Sequence, residues 1–118
     1  MAIQFFANSD YLTVEITGQY VKDDFIDLAQ QVNKLLNEHG VDKIFVDMDN
    51  FDLFTFKNID RFLVTMELVD KIPKFVKTAI YSTSREHINF FAENVAVNRG
   101  LVVKIFFDKD SAMQWLNE

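Results

Sequence analysis

The sequence has no cysteine, one proline and only three glycines in 118 residues. Without cysteine there is no disulfide scaffold, no thiolate zinc site and no cysteine nucleophile, and the chain suits a reducing compartment. The glycines, at positions 18, 40 and 100, lie too far apart to form a glycine-rich loop around a nucleotide phosphate. We therefore expect no nucleotide binding through the common motifs.

Basic residues and long apolar runs are also scarce. Eighteen acidic residues against twelve basic ones give a formal charge of −6, which repels nucleic-acid backbones and anionic membranes. No apolar run reaches the roughly 18 residues of a membrane span, and the first residues lack the charged start and apolar run of a signal peptide. We expect a soluble, cytoplasmic protein that neither binds nucleic acid nor inserts into a membrane.

The overall composition predicts one globular domain over 1–118. Hydrophobic residues make up 49% and charged residues 25% of the chain, which are ordinary values for a folded protein. Thirteen phenylalanines supply most of the aromatic content. Whether all of those rings fit inside the core is the main question that the composition raises.

Hydrophobic periodicity predicts strands that alternate with helices in the order β-β-α-β-α-β-α-β-α. Strands are predicted at 3–7, 11–17, 44–46, 75–81 and 101–107, the first two forming a hairpin. Helices are predicted from Asp23 or Asp24 to Gly40, from Ile59 to the residues before Pro73, after a capping box of Thr83 and Glu86, and over 108–116. Such alternation implies right-handed crossovers and a mostly parallel sheet.

Reactive groups at the carboxyl ends of the parallel strands are few. Asp47, Asp49 and Asp52 follow the third strand, but the stretch lacks the glycine and the distal glutamate of a calcium loop. His39 and His87 have no partner at ligand spacing. We predict no catalytic residue, no metal site and no cofactor, and keep a metal-dependent hydrolase that uses Asp47 and Asp49 as a third alternative.

The loop after the third strand is unusually apolar and is the candidate binding site. Its rings and aliphatic side chains lie outside any periodic core stripe, so they either form a contact surface or fold back over the end of the sheet. Lys57 stands at the expected start of the next helix, where a cation opposes the helix dipole. The predicted partner- or ligand-binding residues are Phe51, Leu53, Phe54, Thr55, Phe56 and Lys57.

Several segments resemble a known family. The junction 44–48 (IFVDM), the segments 91–96 (FAENVA) and 98–101 (NRGL), and the motif 112–116 (AMQWL) resemble the STAS domain of sulfate transporter tails and anti-sigma factor antagonists. The closer resemblance is to its SpoIIAA-like branch, which borders on the SEC14-like lipid-binding class. The resemblance implies a two-layer α/β sandwich whose five-stranded, mixed and mostly parallel sheet carries an N-terminal hairpin and four helices.

The same resemblance implies a regulatory role, with one departure. In the antagonists the helix after the third strand begins at a serine motif that a partner kinase phosphorylates. Here Phe56 and Lys57 stand where the serines belong, and Thr55 is the nearby hydroxyl. The phosphoswitch is therefore in doubt.

Two functions from different classes follow. The leading expectation is a non-enzymatic, cytoplasmic regulatory domain that binds a protein partner, or itself as a homodimer, through the loop 49–57 and the second helix. The alternative is a carrier of a small hydrophobic ligand or lipid, which would require an apolar cavity of roughly 300 Å³ or more. A cavity of that size near Phe51, Phe54, Phe62 and Tyr81 would support this alternative.

Overall fold

The computed structural model describes residues 2–86, 88 and 90–118. Within them, strands and helices alternate after an initial pair of strands, except that a two-residue fourth strand directly follows the third. The strands are β1 (Ala2–Ala7), β2 (Leu12–Gln19), β3 (Lys43–Asp47), β4 (Phe51–Asp52), β5 (Lys77–Tyr81) and β6 (Val102–Phe106). The helices are α1 (Leu28–His39), α2 (Asn58–Lys71), α3 (Phe91–Asn98) and α4 (Lys109–Leu116), with 3-10 helices at Lys22–Phe25 and Leu53–Thr55.

The main sheet has the strand order β1-β2-β3-β5-β6. β1 and β2 form an antiparallel hairpin, and the side chain of Asn8 closes its turn by accepting hydrogen bonds from the N–H groups of Asp10 and Tyr11, each at 2.8 Å. The pairs β2-β3, β3-β5 and β5-β6 are parallel. The short β4 pairs in parallel with the end of β2, with Phe51 beside Gly18. The predicted α/β architecture with a hairpin and a mostly parallel sheet is confirmed.

Helices cover the sheet unequally on its two faces. Ile44 of β3 belongs to the larger core cluster, which also contains apolar residues of α1 and α3 and packs against partly buried residues of α2. Its neighbour Phe45 points the other way and packs with Ala112 and Leu116 of α4. This central strand is therefore covered on both faces, and α4 adds a partial third layer to the expected sandwich.

The apolar stripe predicted for α1 is confirmed, whereas the one predicted for α2 is wrong, because Ile59 and Leu63 are exposed and the buried side chains of this helix are those of Arg61 and Thr65. Leu28, Val32 and Leu36 of α1 are buried. This helix starts later than predicted, because a separate 3-10 turn precedes it. It ends at Gly40, whose left-handed φ of 64° suits glycine and whose N–H donates to the carbonyl of Leu36. α2 stops before Pro73, as predicted.

The predicted start of the third helix is wrong. α3 begins at Phe91 rather than after Thr83. Thr83 does not cap a helix, because both its N–H and its hydroxyl donate to Asp49 Oδ1, at 2.8 and 2.5 Å. His87, which has no predicted partner at ligand spacing, lies outside the described residues.

Candidate functional site

The loop between β3 and α2 divides into buried and exposed residues. Phe51, Leu53 and Phe56 are buried, and Phe56 retains only 8% of its exposure. Phe54, between them, is 61% exposed. Lys57 is also exposed, and its Nζ lies 4.0 Å from the centroid of the Phe54 ring. The predicted site residues therefore split between the core and the surface.

The buried rings of the loop close one corner of the core. Phe56 stacks on Tyr20 and on Phe25, with ring centroids 4.8 and 5.3 Å apart, and meets Phe51 edge-on at 5.8 Å. Tyr20 follows β2 and Phe25 ends the first 3-10 turn, so the cluster joins the loop to two earlier segments. Aromatic pairs in these geometries stabilise beyond the area that they bury. The rings therefore anchor the loop.

Hydrogen bonds hold the backbone of the same loop. The hydroxyl of Thr55 accepts from the N–H of Tyr20 at 2.8 Å and donates to the carbonyl of Asp52 at 2.7 Å. The carboxylate of Asp52 accepts from the N–H of Phe54 at 3.1 Å. Thr55, predicted as a binding residue, is thus engaged in joining the loop to the end of β2.

Arg61 was missed by the sequence reasoning, although it is the main polar support of the loop. Its side chain is buried, with 7% exposure. Its Nε donates to the carbonyl of Phe56 at 2.6 Å and its Nη2 to that of Leu53 at 2.9 Å. Burial lowers the pKa of its guanidinium below the usual value. The sequence signal that could have indicated its burial is its position four residues before Thr65, because residues four apart lie on one face of a helix and Thr65 is also buried.

The exposed apolar residues continue from the loop onto α2. Ile59 is 66% exposed and Leu63, one turn later, is 49% exposed. A helix in a monomeric domain usually turns such side chains toward its core. We call Phe54, Lys57, Ile59 and Leu63 the α2 patch. It combines three large apolar side chains with one cation at the helix N-terminus.

A depression beside the α2 patch has a volume of about 290 Å³. It is open to solvent, and most of the residues that line it are polar, so it is not the apolar cavity that a lipid carrier needs. Its lining residues are Leu53, Phe54, Phe56, Lys57, Asn58, Arg61 and Glu86. An apolar cavity does exist in the interior, with a volume of about 150 Å³, but Phe51, Phe54, Phe62 and Tyr81 are not among its lining residues.

The carboxylates after β3 serve the backbone. Asp47 Oδ1 accepts from the N–H of Asp49 at 3.0 Å, and Asp49 Oδ1 accepts both bonds from Thr83. These bonds, the one from the Thr83 hydroxyl first, hold the pKa of Asp49 below its usual value, whereas a general acid at neutral pH needs a raised one. Among residues 2–86, 88 and 90–118, no three His, Cys, Asp or Glu side chains are grouped to hold a metal ion.

Comparison with known proteins identifies the family. The SpoIIAA-like family model matches residues 11–117. The chain belongs to the SpoIIAA-like family. Its fold also matches the crystal structure of an uncharacterised protein with a SpoIIAA-like fold from Shewanella loihica PV-4, with a TM-score of 0.57 and 22% identity over 98% of this chain and 92% of the other. No curated protein matches the chain.

The family confirms the resemblance seen in the sequence and the fold class that it implied. SpoIIAA-like domains typically interact with proteins. In the part of the chain that the structure describes, no helix is long and apolar enough to cross a membrane.

Proposed function

We propose that this SpoIIAA-like domain is a non-enzymatic regulatory module of the cytoplasm that binds a protein partner through the α2 patch. The observation that carries the proposal is the exposure of Phe54, Ile59 and Leu63 on one loop-helix segment. Large exposed apolar side chains grouped in this way are typical of interaction sites. Aromatic anchors such as Phe54 supply much of the binding energy in protein interfaces.

Charge favours a different protein over a second copy of this chain. Each copy carries a formal charge of −6, so two copies repel each other at long range. Lys57 places a cation at the edge of the apolar surface, stacked over Phe54. We infer that the partner presents apolar side chains flanked by a carboxylate, which pairs with Lys57 and reduces the conflict between this cation and the helix dipole.

The geometry around Thr55 argues for binding without a phosphorylation switch at this loop. Its hydroxyl already accepts one backbone hydrogen bond and donates another. Phosphorylation would break the donated bond and place about two negative charges beside Asp52. The modification would disturb the loop instead of charging a free helix N-terminus.

The test compares binding by variants of the α2 patch. The tagged wild-type chain and the variants Phe54→Ala, Leu63→Ala and Lys57→Glu are used to capture partners from cell extract, and the partner is then purified and titrated. Each alanine variant should lower the affinity for the purified partner by about thirtyfold or more, because hot-spot truncations cost about 2 kcal/mol or more. The loss of affinity caused by Lys57→Glu should grow as the salt concentration is lowered, because the new repulsion between the introduced glutamate and the partner's carboxylate is then less screened.

Phe75→Ala is the matched control, since Phe75 is 72% exposed but lies between α2 and β5, outside the patch. It should bind the partner as the wild type does. Equal loss in Phe54→Ala and Phe75→Ala would contradict the proposal, and so would full binding by every patch variant. If light scattering shows a dimer of the wild type that the patch variants do not form, the partner is a second copy of this chain and not a different protein.

A further inference from the structure

A cavity lies between the sheet and the helices on its larger core face. Its volume is about 150 Å³. Aliphatic side chains dominate its wall, among them Val14, Ile44 and Ile80 from strands and Val32, Leu68 and Ala96 from helices. Protein interiors are normally packed without voids of this size. An engineered apolar cavity of about 150 Å³ in another protein stays dry and takes up benzene or xenon.

One polar atom in this wall lacks a partner. Glu93, in the first turn of α3, lines the cavity. Its Oε2 is buried and has no hydrogen-bond partner within the described residues. The carboxyl group accepts a bond from the N–H of Ile105, and burial raises its pKa above the usual value. Buried polar atoms are nearly always hydrogen-bonded, so an exception calls for an explanation.

We propose that the cavity binds a small apolar molecule of about one ring that carries a single hydrogen-bonding group, and that this group pairs with Oε2 of Glu93. The volume selects the size, because pockets for larger ligands start at about 300 Å³. Because the lining is mostly aliphatic, the body of the ligand must be apolar. Because Oε2 of Glu93 lacks a partner, the ligand must carry one hydrogen-bonding group. A lipid acyl chain with its headgroup does not fit this space. The site is separate from the α2 patch and goes beyond the proposed partner binding.

The test titrates the full chain with toluene and with phenol, which share a ring and differ in the hydroxyl group. Both should bind, as followed by calorimetry and by methyl chemical shifts of Val14 and Ile80. In Glu93→Met the affinity ratio of phenol to toluene should fall about tenfold, because one hydrogen bond is lost. Glu93→Gln keeps a hydrogen-bonding group and should retain most of the ratio.

Filling the cavity is the second arm. Ala96→Met adds bulk at a buried lining position and should reduce toluene affinity at least tenfold, whereas Val97→Met, at an exposed position of the same helix, should not change it. If Ala96→Met does not fold by circular dichroism, Ala92→Met fills the same wall one turn earlier.

Three results would overturn the proposal. Failure of both probes to bind the wild type would remove the site. Unchanged toluene binding in the folded filling variants would place the probe elsewhere. An unchanged phenol-to-toluene ratio in Glu93→Met would remove the role of Glu93. None of these results bears on the α2 patch, because partner binding is read from a different set of variants.

Discussion

The contrast between Phe54 and Phe56 provides the sharpest test of the structure. The two rings are two residues apart in one loop, yet Phe54 is 61% exposed and Phe56 only 8%. The sequence analysis predicts both rings as binding residues. The structure instead predicts that alanine replacement affects stability at one position and binding at the other.

The magnitude for Phe56→Ala follows from its contacts. The ring stacks on Tyr20 and Phe25 and touches Phe51, and truncating a buried phenylalanine costs about 3–5 kcal/mol of unfolding free energy. The backbone carbonyl that accepts from Arg61 is kept, so about 3 kcal/mol is expected. With an unfolding entropy of about 2.1 cal/mol/K per residue over 118 residues, the midpoint falls by about 12 °C.

The assay is thermal and urea unfolding of Phe56→Ala, Phe54→Ala and the surface control Phe75→Ala. The two exposed positions should change the unfolding free energy by no more than about 0.5 kcal/mol, which is a shift of about 2 °C. Similar losses at Phe54 and Phe56 would refute the division of the loop into anchor and contact surface. A loss below about 1 kcal/mol at Phe56 would refute its place in the core.

Three further predictions concern other supports of the fold. Arg61→Lys should cost about 1.5–3 kcal/mol in urea unfolding, because an ammonium cannot donate to the carbonyls of Leu53 and Phe56 with the fork geometry of the guanidinium; a change within about 0.5 kcal/mol would contradict this. Gly40→Ala should cost about 1 kcal/mol, since φ is 64° but no atom lies within 4 Å of an added Cβ; a larger loss would point to an unseen clash. Burial raises the pKa of Glu93, so the folded chain keeps this proton to higher pH than the unfolded chain does. The free energy of unfolding should therefore fall as pH rises from the ordinary pKa of 4.5 through the raised one. Glu93→Gln should remove that slope in pH-dependent unfolding. Parallel wild-type and variant pH curves would refute it.

Local patterns in the sequence determined most of the scaffold. The hairpin of β1 and β2 follows from alternating side chains around the turn that Asn8 closes. The 3.6-residue period of α1 and the glycine that ends it are also local signals. These features are readable in sequence because neighbouring residues produce them.

The start of the third helix and the role of Asp49 depend on contacts between residues far apart in the chain. Thr83 and Glu86 have the spacing of a capping box, yet Thr83 donates to a carboxylate 34 residues earlier in the chain. That bond forms only because β3 and β5 lie side by side in the sheet. A local motif cannot reveal which distant acceptor competes for its hydroxyl.

Only the tertiary structure decided which residues of the candidate site reach solvent. Phe51, Phe54 and Phe56 are the same residue type within one loop. Phe25 lies beside both Phe51 and Phe56, and Tyr20 lies beside Phe56, so these two rings are buried while Phe54 is exposed. The inward turn of Arg61 and the void beside Glu93 likewise arise from how elements meet. The sequence determined which segments are apolar and how each one is built, whereas burial depends on the shape and partners that the packed neighbours supply.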